Sequence, residues 1–215
     1  MNTYHELVEK FASTLKDGRQ IPLGGVAPLS HPVLPDNAPN VLIFSPHPDD
    51  EVIIGGLPIR MMRECGMRVI NIAVTQGSKR DRQEERLMEL ENCCRHIGFD
   101  LITTREGTGL ERINRKTRDE DPSHWEECVE CIAEILGRTK PHSIFFPHDN
   151  DWNSTHIGTH LLVTDALAKL PGDFTCHTFE TEFWGAMDNP NLMIESSHDD
   201  LADMLTALSF HVGEV

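Results

Sequence analysis

Three short apolar runs, rich in β-branched and aromatic residues, do most to limit what this chain can fold into. They are residues 40–45 (NVLIFS), 67–74 (MRVINIAV) and 143–147 (SIFFP), each too short for a helix of ordinary length and bounded by turn residues. Helix-period stretches separate them. One covers residues 56–65; a second covers 80–97, with apolar positions at Leu87, Leu90, Cys93, Cys94 and Ile97; a third covers 124–137, with Trp125, Cys128, Ile132 and Ile135. Buried strands alternating with helices imply βαβ units and a mostly parallel sheet with helices on both faces, an α/β fold. In such sheets binding sites form outside the carboxyl ends of the strands. The polar segments 77–86 and 105–123 are expected to loop there and shape a pocket.

The chain has 215 residues, which suits one domain. Residues 1–39 read as an N-terminal amphipathic helix followed by a Gly- and Pro-rich extended lead-in, and residues 40–215 as the single α/β domain. The N-terminus lacks the apolar core of a signal peptide, and no apolar run approaches the roughly 20 residues of a membrane span. A cytoplasmic protein is expected. A formal charge of −16 disfavours nucleic acid and anionic lipid as partners and suits a protein that attracts cations. The six cysteines are then expected as thiols. Cys128 and Cys131 form a single CxxC on a helix, with no second pair to complete a four-ligand zinc site, so they read as packing residues, as do Cys93 and Cys94. The final residues, Gly213 to Val215, lack a capping pattern, which leaves room for a continuing segment.

The chemistry concentrates after two of the strands. Residues 45–51 (SPHPDDE) put one imidazole and three carboxylates into five positions. Capping the next helix needs one Asp, whereas a divalent ion wants imidazole plus carboxylate, and a His and an Asp three residues on can converge across a tight turn. Residues 146–160 (FPHDNDWNSTHIGTH) follow another strand. Ser154 or Thr155 can cap a helix reaching about Leu170, which places His156 in its first turn facing the same edge. His156 and His160 share a helix face, but the usual catalytic pair carries Glu after its first His, and Ile157 stands there. Three protein ligands leave a position for water, and the spare aspartate can act as general base.

Residues 45–51 resemble the PHPDDE signature of the PIG-L (LmbE-like) N-acetylglucosaminyl deacetylases, and the resemblance extends from about Asn40 to Leu170. Supporting it are residues 75–78 (TQGS) after the second strand, the Arg86-x-x-Glu89 helix ending at Ile97-Gly98, and the late His-bearing helix start. The resemblance implies a three-layer, Rossmann-like fold. It implies metal ligands His47, Asp50 and His156, base Asp49, and one divalent ion, Zn2+ first, with Fe2+ or Mn2+ also compatible. It implies hydrolysis of the N-acetyl group of an amino-sugar or sugar conjugate, a small-molecule substrate.

One departure from the family pattern matters. The late motif is usually His-Pro-Asp-His, but residues 153–156 are NSTH. Asn153 can donate a hydrogen bond to an oxyanion and cannot supply a proton, so His148 or His160 is a candidate for that work. Together with Arg86 these two are candidate substrate contacts. Residues 183–187 (FWGAM) follow a strand and offer aromatic surface. The departure keeps two alternatives open: a metal-dependent hydrolase of another acyl amide or an ester, and a non-catalytic sugar- or metal-binding relative. A homo-oligomer is compatible with either.

Overall fold

The computed structural model describes residues 2–214. Among these, strands β1 (Asn40–Ser45), β2 (Arg68–Ala73), β3 (Asp100–Thr103), β4 (Ser143–Pro147) and β5 (His177–Thr181) form one sheet in the order β3-β2-β1-β4-β5. Every neighbouring pair is parallel. The helices are α1 (Thr3–Gly18), α2 (Asp50–Ile53), α3 (Gly56–Cys65), α4 (Gln83–Ile97), α5 (Arg115–Glu120), α6 (Pro122–Thr139), α7 (Ser154–Lys169) and α8 (His198–Leu208).

Alternation along β1 builds the three layers. Leu42 and Phe44 point to one face, where Trp125, Val129 and Ile132 of α6 and Leu162, Val163 and Ala166 of α7 cover them. Val41 and Ile43 point to the other, against Ile59 and Met62 of α3, Leu90 and Ile97 of α4, and Ala207 of α8. With both faces covered, the central strands read as continuous apolar runs and show no polar alternation. Cys128 sits in the first core and Cys93 and Cys94 in the second, and all six cysteines are free thiols.

The chain runs outward from β1 through β2 to β3, then returns to the far side of β1 for β4 and β5. The strand order therefore reverses between β1 and β4, and the turns that leave these two strands open a crevice at their carboxyl ends. The expected strands at 40–45 and 143–147 match the observed bounds, and the run at 67–74 contracts by a residue at each end. Strand β3, which no apolar run announces, is an edge strand with one face half open to solvent. The expected loop 105–123 contains a 3-10 turn and α5.

Helix α1 buries none of its residues; Tyr4, Leu7, Val8, Phe11 and Leu15 are all exposed. The lead-in after it lies against the domain: the Leu29 amide donates to the His96 carbonyl, and the Gly24 amide to the Ser209 hydroxyl. No helix among the described residues is long and apolar enough to cross a membrane.

Candidate metal centre and catalytic cleft

The turn after β1 is clamped from several sides. The Thr75 hydroxyl donates to the Pro46 carbonyl at 2.7 Å, the His47 amide donates to Asp50 Oδ2 at 2.9 Å, and the Asp49 amide donates to Glu51 Oε2 at 3.0 Å. Between these bonds Asp49 takes φ 108°, a left-handed conformation that a residue with a Cβ rarely adopts. Across the crevice, α7 begins at Asn153, whose side-chain oxygen accepts from the Thr155 amide at 2.8 Å. The cap is therefore Asn153, one position before the expected Ser154 and two before Thr155. Asn153 serves because its carbonyl reaches the free amides of the first turn. His156 then lies in that turn, fully buried and facing β1.

Three of the residues singled out in the sequence converge here. His47 Nδ1, Asp50 Oδ2 and His156 Nε2 form a near-equilateral triangle with sides of 3.3 Å. That is the spacing of three corners of a tetrahedron whose centre lies roughly 2.0 Å from each, the usual zinc–nitrogen and zinc–oxygen bond length. The donor set, two imidazoles and one carboxylate, fits a borderline divalent ion. Behind it, Asp151 Oδ1 stands 3.4 Å from His156 Nδ1, both side chains fully buried. Asp151 is anchored by the amides of Asn153, Trp184 and Gly185. A carboxylate behind a ligating histidine fixes the tautomer and orients the ring. Sequence reasoning missed Asp151; its one signal was its place in the polar stretch 148–153 (HDNDWN) that follows β4.

The electrostatics separate the paired aspartates. Burial, with the charges of Asp50 and Glu51, pushes the Asp49 carboxyl up to about 7 against the opposing pull of His211 and Arg86. For Asp50 burial also acts upward, but the hydrogen bonds and charges of His156 and His47 outweigh it and bring the carboxyl down to about 2. His156 is raised: burial opposes its charge, and Asp50 and Asp151 overcome that opposition. One aspartate is thus ionised and buried among imidazoles, while its neighbour can gain or lose a proton near neutrality.

His47, Asp49 and Asp50 form one wall of a cleft of about 670 Å³ that is also lined by Thr75, Arg86, Arg112, Asn153 and Trp184. The volume falls within the range of small-molecule sites, roughly 300 to 1,000 Å³. Both segments expected to shape a pocket contribute to it. Gly158 lets the second approach: a Cβ there would run into the Ile113 carbonyl. Gly77, at φ 79°, lies against the Arg86 guanidinium where a side chain would collide. Arg86 is nearly buried, with Nη2 donating to the Pro48 carbonyl at 3.4 Å and Nε 3.3 Å from Glu214. Trp184 is exposed at the rim, and Phe183 packs edge-on against the His156 ring.

His148 and His160 are not brought to the cleft. His148 is buried, with Nε2 bonded to the Gly185 carbonyl at 2.7 Å and Nδ1 accepting the Asn150 amide at 3.3 Å. His160 turns toward β4, with Nδ1 bonded to the Pro147 carbonyl at 3.0 Å and its ring against Phe146. Backbone groups engage both ring nitrogens of His148 and Nδ1 of His160, and neither residue lines the cleft. Sequence spacing cannot reveal such a commitment.

A family model described as "PIG-L: GlcNAc-PI de-N-acetylase" matches residues 42–167, more than half of the chain. No curated protein sequence matches. Among solved structures, the fold resembles N,N'-diacetylchitobiose deacetylase from Pyrococcus horikoshii, with TM-score 0.61 and 21% identity over 83% of this chain and 72% of that one. It resembles the zinc-inhibited form of teicoplanin deacetylase Orf2, with TM-score 0.63 and 15% identity over 81% and 84% of the two chains. It also resembles the 4-carboxy-2-hydroxymuconate hydratase of Pseudomonas putida KT2440, with TM-score 0.59 and 13% identity over 82% and 84%. At these identities the likeness is one of fold.

Proposed function

We propose, because the chain belongs to the PIG-L family of GlcNAc-PI de-N-acetylases, that it is a hydrolase removing the N-acetyl group of an amino sugar or sugar conjugate with one divalent ion held by His47, Asp50 and His156. The observation that carries the reading is the 3.3 Å triangle of donors beside an aspartate poised near neutrality, at the switch point of the sheet. The ion, Zn2+ first and Fe2+ or Mn2+ next, supplies Lewis acidity that lowers the pKa of water and polarises the amide carbonyl.

The chain's own groups do the rest. Asp49 accepts the proton of the attacking water as general base. Its carboxyl, then protonated, is the group that returns a proton to the departing amine nitrogen, because neither His148 nor His160 lines the cleft. The side-chain oxygen of Asn153 is held by the helix cap, which turns its NH2 outward on the cleft wall, where it can donate to the oxyanion. Asp151 holds the His156 ring. Arg86 and Trp184 offer a polar and an aromatic surface to the sugar.

Acetate release is measured across N-acetylhexosamine conjugates, with O-acetyl and longer N-acyl analogues alongside, before and after chelation and metal return. Turnover of N-acetyl sugars that vanishes on chelation and returns with metal is the expected result; none on any conjugate overturns the reading. A second reading, hydrolysis of another acyl amide or an ester, draws on Asn153 standing where an ionisable His is usual. Preference for the analogues would favour it.

A further inference from the structure

Glu51, the last acid of the SPHPDDE turn, is fully buried and does not line the cleft. Its carboxylate nevertheless collects three donors. Oε2 accepts the Asp49 amide at 3.0 Å; Oε1 accepts Cys93 Sγ at 3.0 Å and His211 Nε2 at 2.8 Å. His211 is also fully buried and comes from the far end of the chain, in the turn after α8. That turn is tied to α4 and its N-cap: the Gly213 amide donates to Glu89, and the Gly213 carbonyl accepts from Arg82.

Glu51, Cys93 and His211 have metal-ligand chemistry, but the two close contacts are donor–acceptor hydrogen bonds to a single carboxylate oxygen, shorter than the 3.3 Å spacing of the cleft triangle. The cluster has a different use. The Asp49 backbone stands at φ 108° and has one polar tether within its own turn for its amide, the Glu51 carboxylate. A buried carboxylate keeps one orientation only while its donors hold it, since an unpaired buried charge turns toward water or takes up a proton.

We infer that His211 is a positioning residue: by donating to Glu51 it fixes the carboxylate that tethers the Asp49 amide, and so keeps the Asp49 carboxyl aimed into the cleft. The inference rests on the proposed role of Asp49 as base. It makes the turn after α8, some 160 residues away in sequence, part of what aligns the catalytic group.

The experiment compares the wild-type holoprotein with His211→Leu, which removes the donor, and His211→Gln, whose amide nitrogen reaches the place of Nε2. Three quantities are read: kcat and KM on the N-acetyl conjugate that the wild type cleaves best, metal content, and the exchange rate of the Asp49 amide by NMR. His211→Leu is expected to lower kcat on the order of 10- to 100-fold at unchanged KM and metal content, the cost of a misaligned group. Exchange at Asp49 should quicken by roughly tenfold while the amides of β1 and β4 keep their rates. His211→Gln should restore both. Wild-type kcat and exchange in the Leu variant, a loss that Gln does not restore, or a second ion that disappears with His211 would overturn the inference. Should His211→Leu fail to fold, His211→Asn, whose shorter amide falls short of Glu51, is judged by the same criteria. If the wild type cleaves no conjugate, the proposed function fails by itself, and the Asp49 exchange rate alone decides the positioning role.

Discussion

The two turns that meet at the switch point deliver their groups by opposite means. The turn after β1 holds most of its geometry within six residues, through bonds from its own amides to Asp50 and Glu51. The turn after β4 is held from a distance: Asp151 grips the Trp184 and Gly185 amides, and His148 grips the Gly185 carbonyl. In the proposed reading the first supplies two ligands and the base as one unit. The second would supply one ligand, through a helix start tied to a loop more than thirty residues away. Local bonding gives a compact motif, whereas remote bonding gives a site whose parts look unrelated along the chain.

The sharpest break of this contrast is in the first turn. Asp50→Ala removes a ligand and also the acceptor of the His47 amide, so metal and all turnover should be lost together; full metal occupancy in the purified variant would refute the ligand assignment. Asp49→Asn should leave metal content intact and cost on the order of 10²–10⁴ in kcat, as removal of a general base does. Near-wild-type kcat would mean that another group takes the proton.

The second turn should respond in smaller steps. Asn153→Asp keeps the oxygen that caps α7 and removes the NH2, so it isolates the donor; a fall of roughly 10²–10³ in kcat with unchanged thermal stability is expected. Asn153→Ala removes the cap as well and should also lower stability by about 1 kcal/mol, read by denaturant unfolding. Asp151→Asn should weaken metal affinity by about 10–100-fold without abolishing it, measured by competition with a chelator.

A separate effect, on stability alone, concerns pH in metal-free protein. The Asp49 carboxyl is raised from 3.8 to about 7 in the fold, so its contribution is fully present below pH 3.8 and is lost as pH rises through 7. Asp50 is lowered to about 2 and changes stability only at more acid pH. His156, raised from 6.5, enters only above that value. From pH 4 to 6.5 the Tm of chelated protein should therefore fall on account of Asp49, and Asp49→Asn should flatten that part of the curve. An unchanged slope would show that the carboxyl is not held up by burial.

The same contrast explains what the sequence made legible. β1, β2 and β4 announce themselves because both their faces are covered, whereas β3 is an edge strand, short and half exposed, with no apolar run to mark it. The contiguous turn 47–51 pointed to its own chemistry, because nothing in folding asks for one imidazole and three carboxylates there. Asp151 and His211 stayed hidden because the partners that define them, His156 and Glu51, are recognisable only once the chain is folded. His148 and His160 drew attention through residue type alone, and in the fold each turns a ring nitrogen to a backbone carbonyl away from the cleft.

The backbone at Asp49 carries a further consequence. Its left-handed conformation costs a residue with a side chain of order 1–3 kcal/mol and costs glycine almost nothing. Asp49→Gly is thus a substitution that would relax the fold while deleting the proposed base. A screen rewarding only heat resistance would drift toward glycine at this position and collect sturdy, inert proteins. Keeping an aspartate there makes sense only under selection for turnover, so the residue's persistence through a campaign of random mutagenesis would itself report whether catalysis is what that campaign preserves.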